Sequence, residues 1–193
     1  MSELPFREVS PQRSYAGKKL SDYRRYKDFL ARDFQNRCGY TYCMDFWFGG
    51  KMNFQIDHFK PKSKFPDLET DYNNLVYSCS FVNRAKSDDV GSYLDPVNED
   101  YNTHFYRDEL GNIYPREESE AARYMYIRLK LYLKRHSIIW MLDQLEQRMF
   151  ILQELIVHSQ NELARTLLVE ITIRYNNYKR HLRAIQWETH SNI

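Results

Sequence analysis

The sequence predicts an α+β protein in which a compact core of two short strands and one short helix is flanked on both sides by helices. An N-terminal helix precedes the core, and a hairpin of two long helices follows it. Three observations predict this. Tyr23, Tyr26, Leu30 and Phe34 form one apolar stripe at helical spacing. From Cys38 to Asp89 no helical period is sustained, and two short apolar runs stand apart across a polar loop. Beyond Arg116 there is neither glycine nor proline, and apolar residues recur at alternating four- and three-residue steps.

Each element follows in order. Residues 1–20, with Pro5 and Pro11, read as an irregular arm. Ser21 is placed to cap a helix from Asp22 to about Gln35, and Asp22 suits the positive end of its dipole. Phe54-Gln55-Ile56 and Leu75-Val76-Tyr77 read as brief strands, joined by the loop Pro61–Asp71 with Pro66 inside it. Phe81–Ser87 reads as a short helix. Residues 90–116 are loop-rich, with a turn at Asp95-Pro96 and a hairpin pairing His104-Phe105-Tyr106 with Ile113-Tyr114 across Gly111-Asn112.

A helix is expected around Ala121–Lys134. Ile138, Leu142, Leu145, Met149, Leu152 and Ile156 then form one seam, and Ala164, Leu168, Ile171, Tyr175, Tyr178, Leu182 and Ile185 form another. Ser159 and Glu162 have capping-box spacing, which places the break near His158-Ser159. The two seams can pack on each other, on the core or on a second chain. The expected division is a core unit of residues 1–116 and a helical unit of residues 117–193.

Composition narrows the class. With 42% hydrophobic and 28% charged residues the chain reads as globular. A net charge of +2 is too small to imply nucleic-acid binding, so that argument has to come from local patches. Candidate patches are Arg24, Arg25 and Lys27; Lys60, Lys62 and Lys64; and Lys179, Arg180 and Arg183. The 16 tyrosines fit either core filling or base stacking. No apolar run reaches bilayer length and the start lacks a secretory h-region, so a cytoplasmic location is expected. Three cysteines, an odd number, agree with a reducing compartment.

The chemistry is concentrated in Asp57-His58, Asn74 and Asn83. Asp57 and Asn83 offer oxygen donors suited to a hard divalent cation, which would neutralise charge on a phosphodiester. Neighbouring strand residues point to opposite faces, so Asp57 and His58 cannot both reach the metal unless the strand ends or bends there, an ending that Pro61 fits. Left off the metal, His58 is free to deprotonate water. Asn74 is the candidate for fixing its orientation. Lys60, Lys62, Lys64, Arg84 and Lys86 are candidate phosphate contacts. His136, His158, His181 and His190 show no metal-ligand spacing.

These residues carry a resemblance. The stretch from Cys38 to Asp88, with Asp57-His58, Pro61, Asn74-Leu75, and Asn83 followed by Lys86, resembles the HNH endonucleases. The resemblance implies a ββα-metal core, Asp57 and Asn83 as ligands of Mg²⁺ or Mn²⁺, His58 as general base, and Asn74 as the residue that orients it. It implies a nuclease, with DNA as the expected substrate and RNA as the alternative; a non-catalytic nucleic-acid- or partner-binding subunit is the third reading. Asp57–Ser63, Leu94-Asp95-Pro96 and His104-Phe105 are similar to the small HNH subunit of Septu-type anti-phage systems. That likeness implies a defence role and a partner such as an ATPase subunit; the helical seams equally suit self-association.

Many HNH proteins also hold a structural zinc with two cysteine pairs. Cys38, Cys43 and Cys79 match three ligands, but the fourth position is Val82. Either the zinc is lost, which is the expectation, or a distant residue such as His104 completes it. With loss, the cysteines become small buried apolar residues and Val82 fills the space of the metal.

Overall fold

The computed structural model describes residues 2–188. In chain order its elements are β1 (Leu4–Pro5), α1 (Lys27–Asp33), β2 (Gln55–His58), β3 (Leu75–Ser78), α2 (Ser80–Lys86), β4 (Phe105–Arg107), β5 (Ile113–Pro115), α3 (Glu120–Arg128), α4 (Lys134–Ser159) and α5 (Glu162–Glu188). The class is α+β. Two compact units are found, residues 2–133 and residues 134–188. The predicted change of character at 116/117 falls ahead of α3, which belongs to the first unit: Ala122 and Met125 are buried there, and the Leu94 N–H lies 3.2 Å from Met125 Sδ.

The first helix starts later than expected. Asp22, in extended backbone, accepts the Arg24 N–H at 2.9 Å and caps a 3-10 turn over Tyr23–Tyr26, which runs into α1. The cap is therefore Asp22 and not Ser21, because only the Asp22 carboxylate reaches the orphan amide. Past α1 the chain turns back through Gln35 and Asn36, both in the left-handed region, and enters the Cys38–Cys43 turn. The Cys38 N–H closes that turn onto the Cys43 carbonyl at 2.9 Å. Gly39 lets the turn approach the sheet: a Cβ there would meet Val76 Cγ1 and Phe34 Cε1 at 2.8 Å.

β2 and β3 pair antiparallel, with Asp57 opposite Val76 and His58 opposite Leu75. Every residue of β3 is buried. α1 packs on β3 and α2 on β2, so the pair is closed from both directions. The core around it is aromatic: Tyr26, Tyr40, Tyr77 and Tyr101 are all fully or almost fully buried. Many of the tyrosines thus serve as core, with their hydroxyls bonded to polar partners.

The N-terminal arm is less irregular than predicted. β1 pairs with β4, which also pairs with β5 in the expected hairpin. Gly111 supplies the positive φ of +77° in the connection. Arg107 of β4 is fully buried and bonds to three carbonyls from separate segments: Phe6 at 2.9 Å, Gly111 at 2.8 Å and Thr41 at 2.7 Å. The last ties the cysteine turn to this sheet.

In the second unit α4 and α5 pack on each other. The residues of both predicted seams are all buried or half-buried. The break falls after Ser159, as spacing predicted, but the cap is different. Asn161 Oδ1 accepts the Ala164 N–H at 3.0 Å, while Ser159 turns back to the Leu155 carbonyl. Gln160, at φ +50°, places the chain reversal between them and moves Ser159 out of capping reach. Among the described residues no helix is long and apolar enough to cross a membrane.

Candidate active site

Strand alternation sorts the motif. Gln55 and Asp57 lie on one face of β2 and His58 on the other. α2 packs on the first face, and two of its side chains, three residues apart and so neighbours on its surface, reach down to it. Asn83 Nδ2 donates to Gln55 Oε1 at 2.7 Å, and Lys86 Nζ lies 3.2 Å from both oxygens of Asp57. Asp57 and Asn83 are thus carried on facing elements.

Asp57 is 3% exposed, and Tyr40 donates its hydroxyl to Oδ2 at 2.6 Å. Burial pushes the Asp57 carboxyl above its ordinary pKa; Lys86 and Tyr40 offset this only in part. Lys86 has no exposed surface. Its ammonium also donates to the His58 carbonyl at 2.7 Å, tying the end of β2 to α2. Reading Lys86 as a surface phosphate contact is corrected by this placement: the buried carboxylate and carbonyl draw the ammonium inward.

His58, 8% exposed, packs edge-on against Tyr23 at a centroid distance of 4.7 Å. Its Nε2 lies 2.9 Å from the Glu69 carbonyl oxygen. A carbonyl only accepts, so in the neutral ring Nε2 carries the proton and Nδ1 keeps its lone pair. Burial lowers the pKa of His58 below the usual value, and the Glu69 carbonyl opposes this only in part. A neutral ring with an accepting nitrogen is what a general base needs.

Asn74 does not touch that ring. Its Oδ1 accepts the Lys60 N–H at 2.8 Å, and its Nδ2 donates to the carbonyls of Lys60 at 2.9 Å and Leu68 at 3.3 Å. It clamps both ends of the loop whose Glu69 carbonyl meets His58. The expected orienting contact is therefore made by a backbone group, with Asn74 one step behind it.

The remaining basic candidates sit at the surface. Lys60, Lys62, Lys64 and Arg84 are exposed. Lys62 pairs with Glu69 at 2.7 Å and Lys64 lies 3.9 Å from Asp88. Lys60 has no carboxylate partner among the described residues. Tyr23, Tyr40, Gln55 and Glu69 take part in the site without having been picked out from sequence. Tyr40 and Gln55 lie outside the motif, and the Glu69 contact uses a backbone atom that carries no residue signature.

The donor set fits a hard divalent cation in kind. Asp57 has roughly four lone-pair positions for two protein donors, and Asn83 Oδ1 accepts no hydrogen bond from the described residues. The under-compensated carboxylate favours added positive charge. The Lys86 ammonium already holds that side of it, so a metal on Asp57 has to move it aside. At about 4 Å, two positive charges against one repel by roughly 8 kcal/mol at an effective dielectric of 20.

The cysteines form no such set. Cys38, Cys43 and Cys79 are buried, no disulfide joins them, and the Cys79 N–H lies 3.4 Å from Cys38 Sγ. Val82 is fully buried. His104 bonds to Ser119 Oγ at 2.8 Å, and among the described residues no group of three or more His, Cys, Asp or Glu could hold a metal. Completion of a zinc site by His104 is thereby corrected, since its ring is committed to the start of α3. His190 lies outside the described residues.

Comparison with known proteins gives one match. Residues 38–89, about a quarter of the chain, match the family model described as HNH endonuclease. No curated protein and no solved structure gives a match. The matched segment holds β2, β3, α2, the cysteine turn and the side chains placed around Asp57 and His58 other than Tyr23. It supports a nuclease, and HNH nucleases generally use divalent metal ions.

Proposed function

We propose that this chain is a metal-dependent HNH endonuclease that hydrolyses DNA phosphodiester bonds, with His58 as its general base. The observation that carries the reading is the His58 ring, held by the Glu69 carbonyl so that Nδ1 is the accepting nitrogen, at the end of the strand whose other face carries Asp57. Water gives its proton to His58 Nδ1 as its oxygen attacks phosphorus, and the phosphorus–oxygen bond on the far side breaks. Mg²⁺ or Mn²⁺ held by Asp57 and Asn83 would supply charge neutralisation at the phosphate and the leaving oxygen. Lys60, Lys62, Lys64 and Arg84 contact the flanking phosphates, which supply most non-specific affinity.

The likeness of Asp57–Ser63 to a Septu-type subunit supports a role as an anti-phage effector in the cytoplasm. A protein partner, an ATPase subunit or a second copy, is supported by the exposed apolar side chains Phe150, Ile151, Val157, Leu163 and Val169 on α4 and α5. The test is cleavage of DNA and of RNA by the purified protein in Mg²⁺, Mn²⁺ or EDTA, beside Asp57→Ala. Cleavage of DNA that needs the metal and Asp57 supports the reading. Metal-independent cleavage, or full activity without the carboxylate, contradicts it.

A further inference from the structure

A groove of about 150 Å³ opens beside the catalytic loop, between Phe59, Pro61 and Phe65 on one side and Val90, Gly91 and Tyr93 on the other. Three of its walls are aromatic. Phe65 is 38% exposed and Val90 52%, so the apolar surface faces solvent, where it costs free energy unless something covers it.

The groove is lined by the loop that follows His58. Phe59 and Lys60 follow His58 directly in sequence. Tyr93, across the groove, has its ring centroid 5.5 Å from Lys86 Nζ, the same ammonium that holds Asp57 and the His58 carbonyl. Lys60 stands at the rim with Nζ 5.8 Å from the Phe65 ring. Tyr93 is fixed by its hydroxyl on Asp89 at 2.7 Å. The backbone beside it approaches Tyr124 closely at Gly91, where a Cβ would meet the Tyr124 hydroxyl at 2.1 Å. The Tyr93 side of the groove is thus held by hydrogen bonding and close packing, whereas Phe65 stands partly exposed.

We infer that this groove seats one unpaired nucleobase next to the scissile phosphate, so that the preferred substrate is single-stranded or locally unpaired nucleic acid. Aromatic rings in a concave pocket offer stacking to a base face. A paired base in a duplex shows only its edges, because neighbouring bases cover its faces. Lys60, without a carboxylate partner among the described residues, supplies the cation for the adjoining phosphate. Stacking on rings is tolerant of base identity, so the groove selects strandedness and not sequence.

This inference rests on the nuclease reading, and the experiment separates the two. A short oligonucleotide carrying 2-aminopurine, free or annealed to its complement, is titrated in EDTA with native protein, Phe65→Ala and Phe65→Tyr. Cleavage of both forms is then followed in Mg²⁺. Phe65→Ala is expected to weaken single-strand binding about tenfold, to leave duplex binding unchanged and to abolish the 2-aminopurine quenching; Phe65→Tyr restores both. Equal effects on both forms, or no effect on either, overturn the groove's role even if the protein cleaves. If the stacking results hold and native protein cleaves neither form, the nuclease reading falls and the base-binding groove stands.

Discussion

The Nε2 of His58 lies 2.9 Å from the carbonyl oxygen of Glu69, and this one contact fixes which nitrogen of the ring can take a proton. The neutral tautomer is predicted to be the Nε2–H form. Nitrogen-15 shifts of the His58 ring check it; an Nδ1–H ring would be unable to accept a proton from water in this pose. The base works only when neutral, and burial holds its pKa below 6.5. Cleavage should therefore persist to pH values below 6.5 and fall as pH drops through the lowered pKa. An acidic limb above pH 7 in the rate profile would contradict the placement.

Asn74 acts through the loop. Asn74→Ala removes three hydrogen bonds to Lys60 and Leu68, so residues 59–69 should exchange their amide hydrogens faster while the core stays protected. Activity should fall, and the Nε2–H population should fall with it. Loss of activity with the ring unchanged would mean that Asn74 has a different task.

Lys86 is expected to be structural first. Lys86→Met leaves the Asp57 carboxylate buried with Tyr40 alone, and breaking a buried ion pair costs about 3–5 kcal/mol. Urea unfolding in EDTA measures this. Because the lysine already stands where added positive charge would go, Mg²⁺ or Mn²⁺ should restore stability to Lys86→Met more than to the native chain. Equal metal responses in the two proteins would argue against Asp57 as a metal ligand.

Arg107 holds three segments together through their carbonyls. Arg107→Met strands those acceptors, at about 1–3 kcal/mol each if they stay buried. The midpoint of unfolding should drop accordingly. A change of under 1 kcal/mol would show that the cysteine turn is held by other contacts.

What could be read from sequence followed from periodicity and motif. The two long seams were legible because each repeats over about twenty residues, and the same residues are buried or half-buried in the fold. β2, β3 and α2 were legible because short apolar runs bounded by polar loops have few alternatives. β1 was not, since Leu4-Pro5 is too short to show alternation and is paired only by the distant β4. The caps at Asp22 and Asn161 were misassigned by one or two residues, because neighbouring polar residues compete and local backbone decides. At the site, spacing picked out Asp57, His58, Asn74 and Asn83. It could not tell that Lys86 turns inward, that Asn74 works through backbone, or that Tyr40 reaches Asp57 across 17 positions. Those facts depend on which face each residue occupies once β2 and α2 are packed.

The most direct test of the account is the single-turnover rate of DNA cleavage by native protein and by His58→Ala at the same Mg²⁺ concentration. A loss on the order of 100- to 10,000-fold with the fold intact is predicted for removal of a general base. Equal rates would contradict the assignment of His58 and, with it, the proposed chemistry of this site.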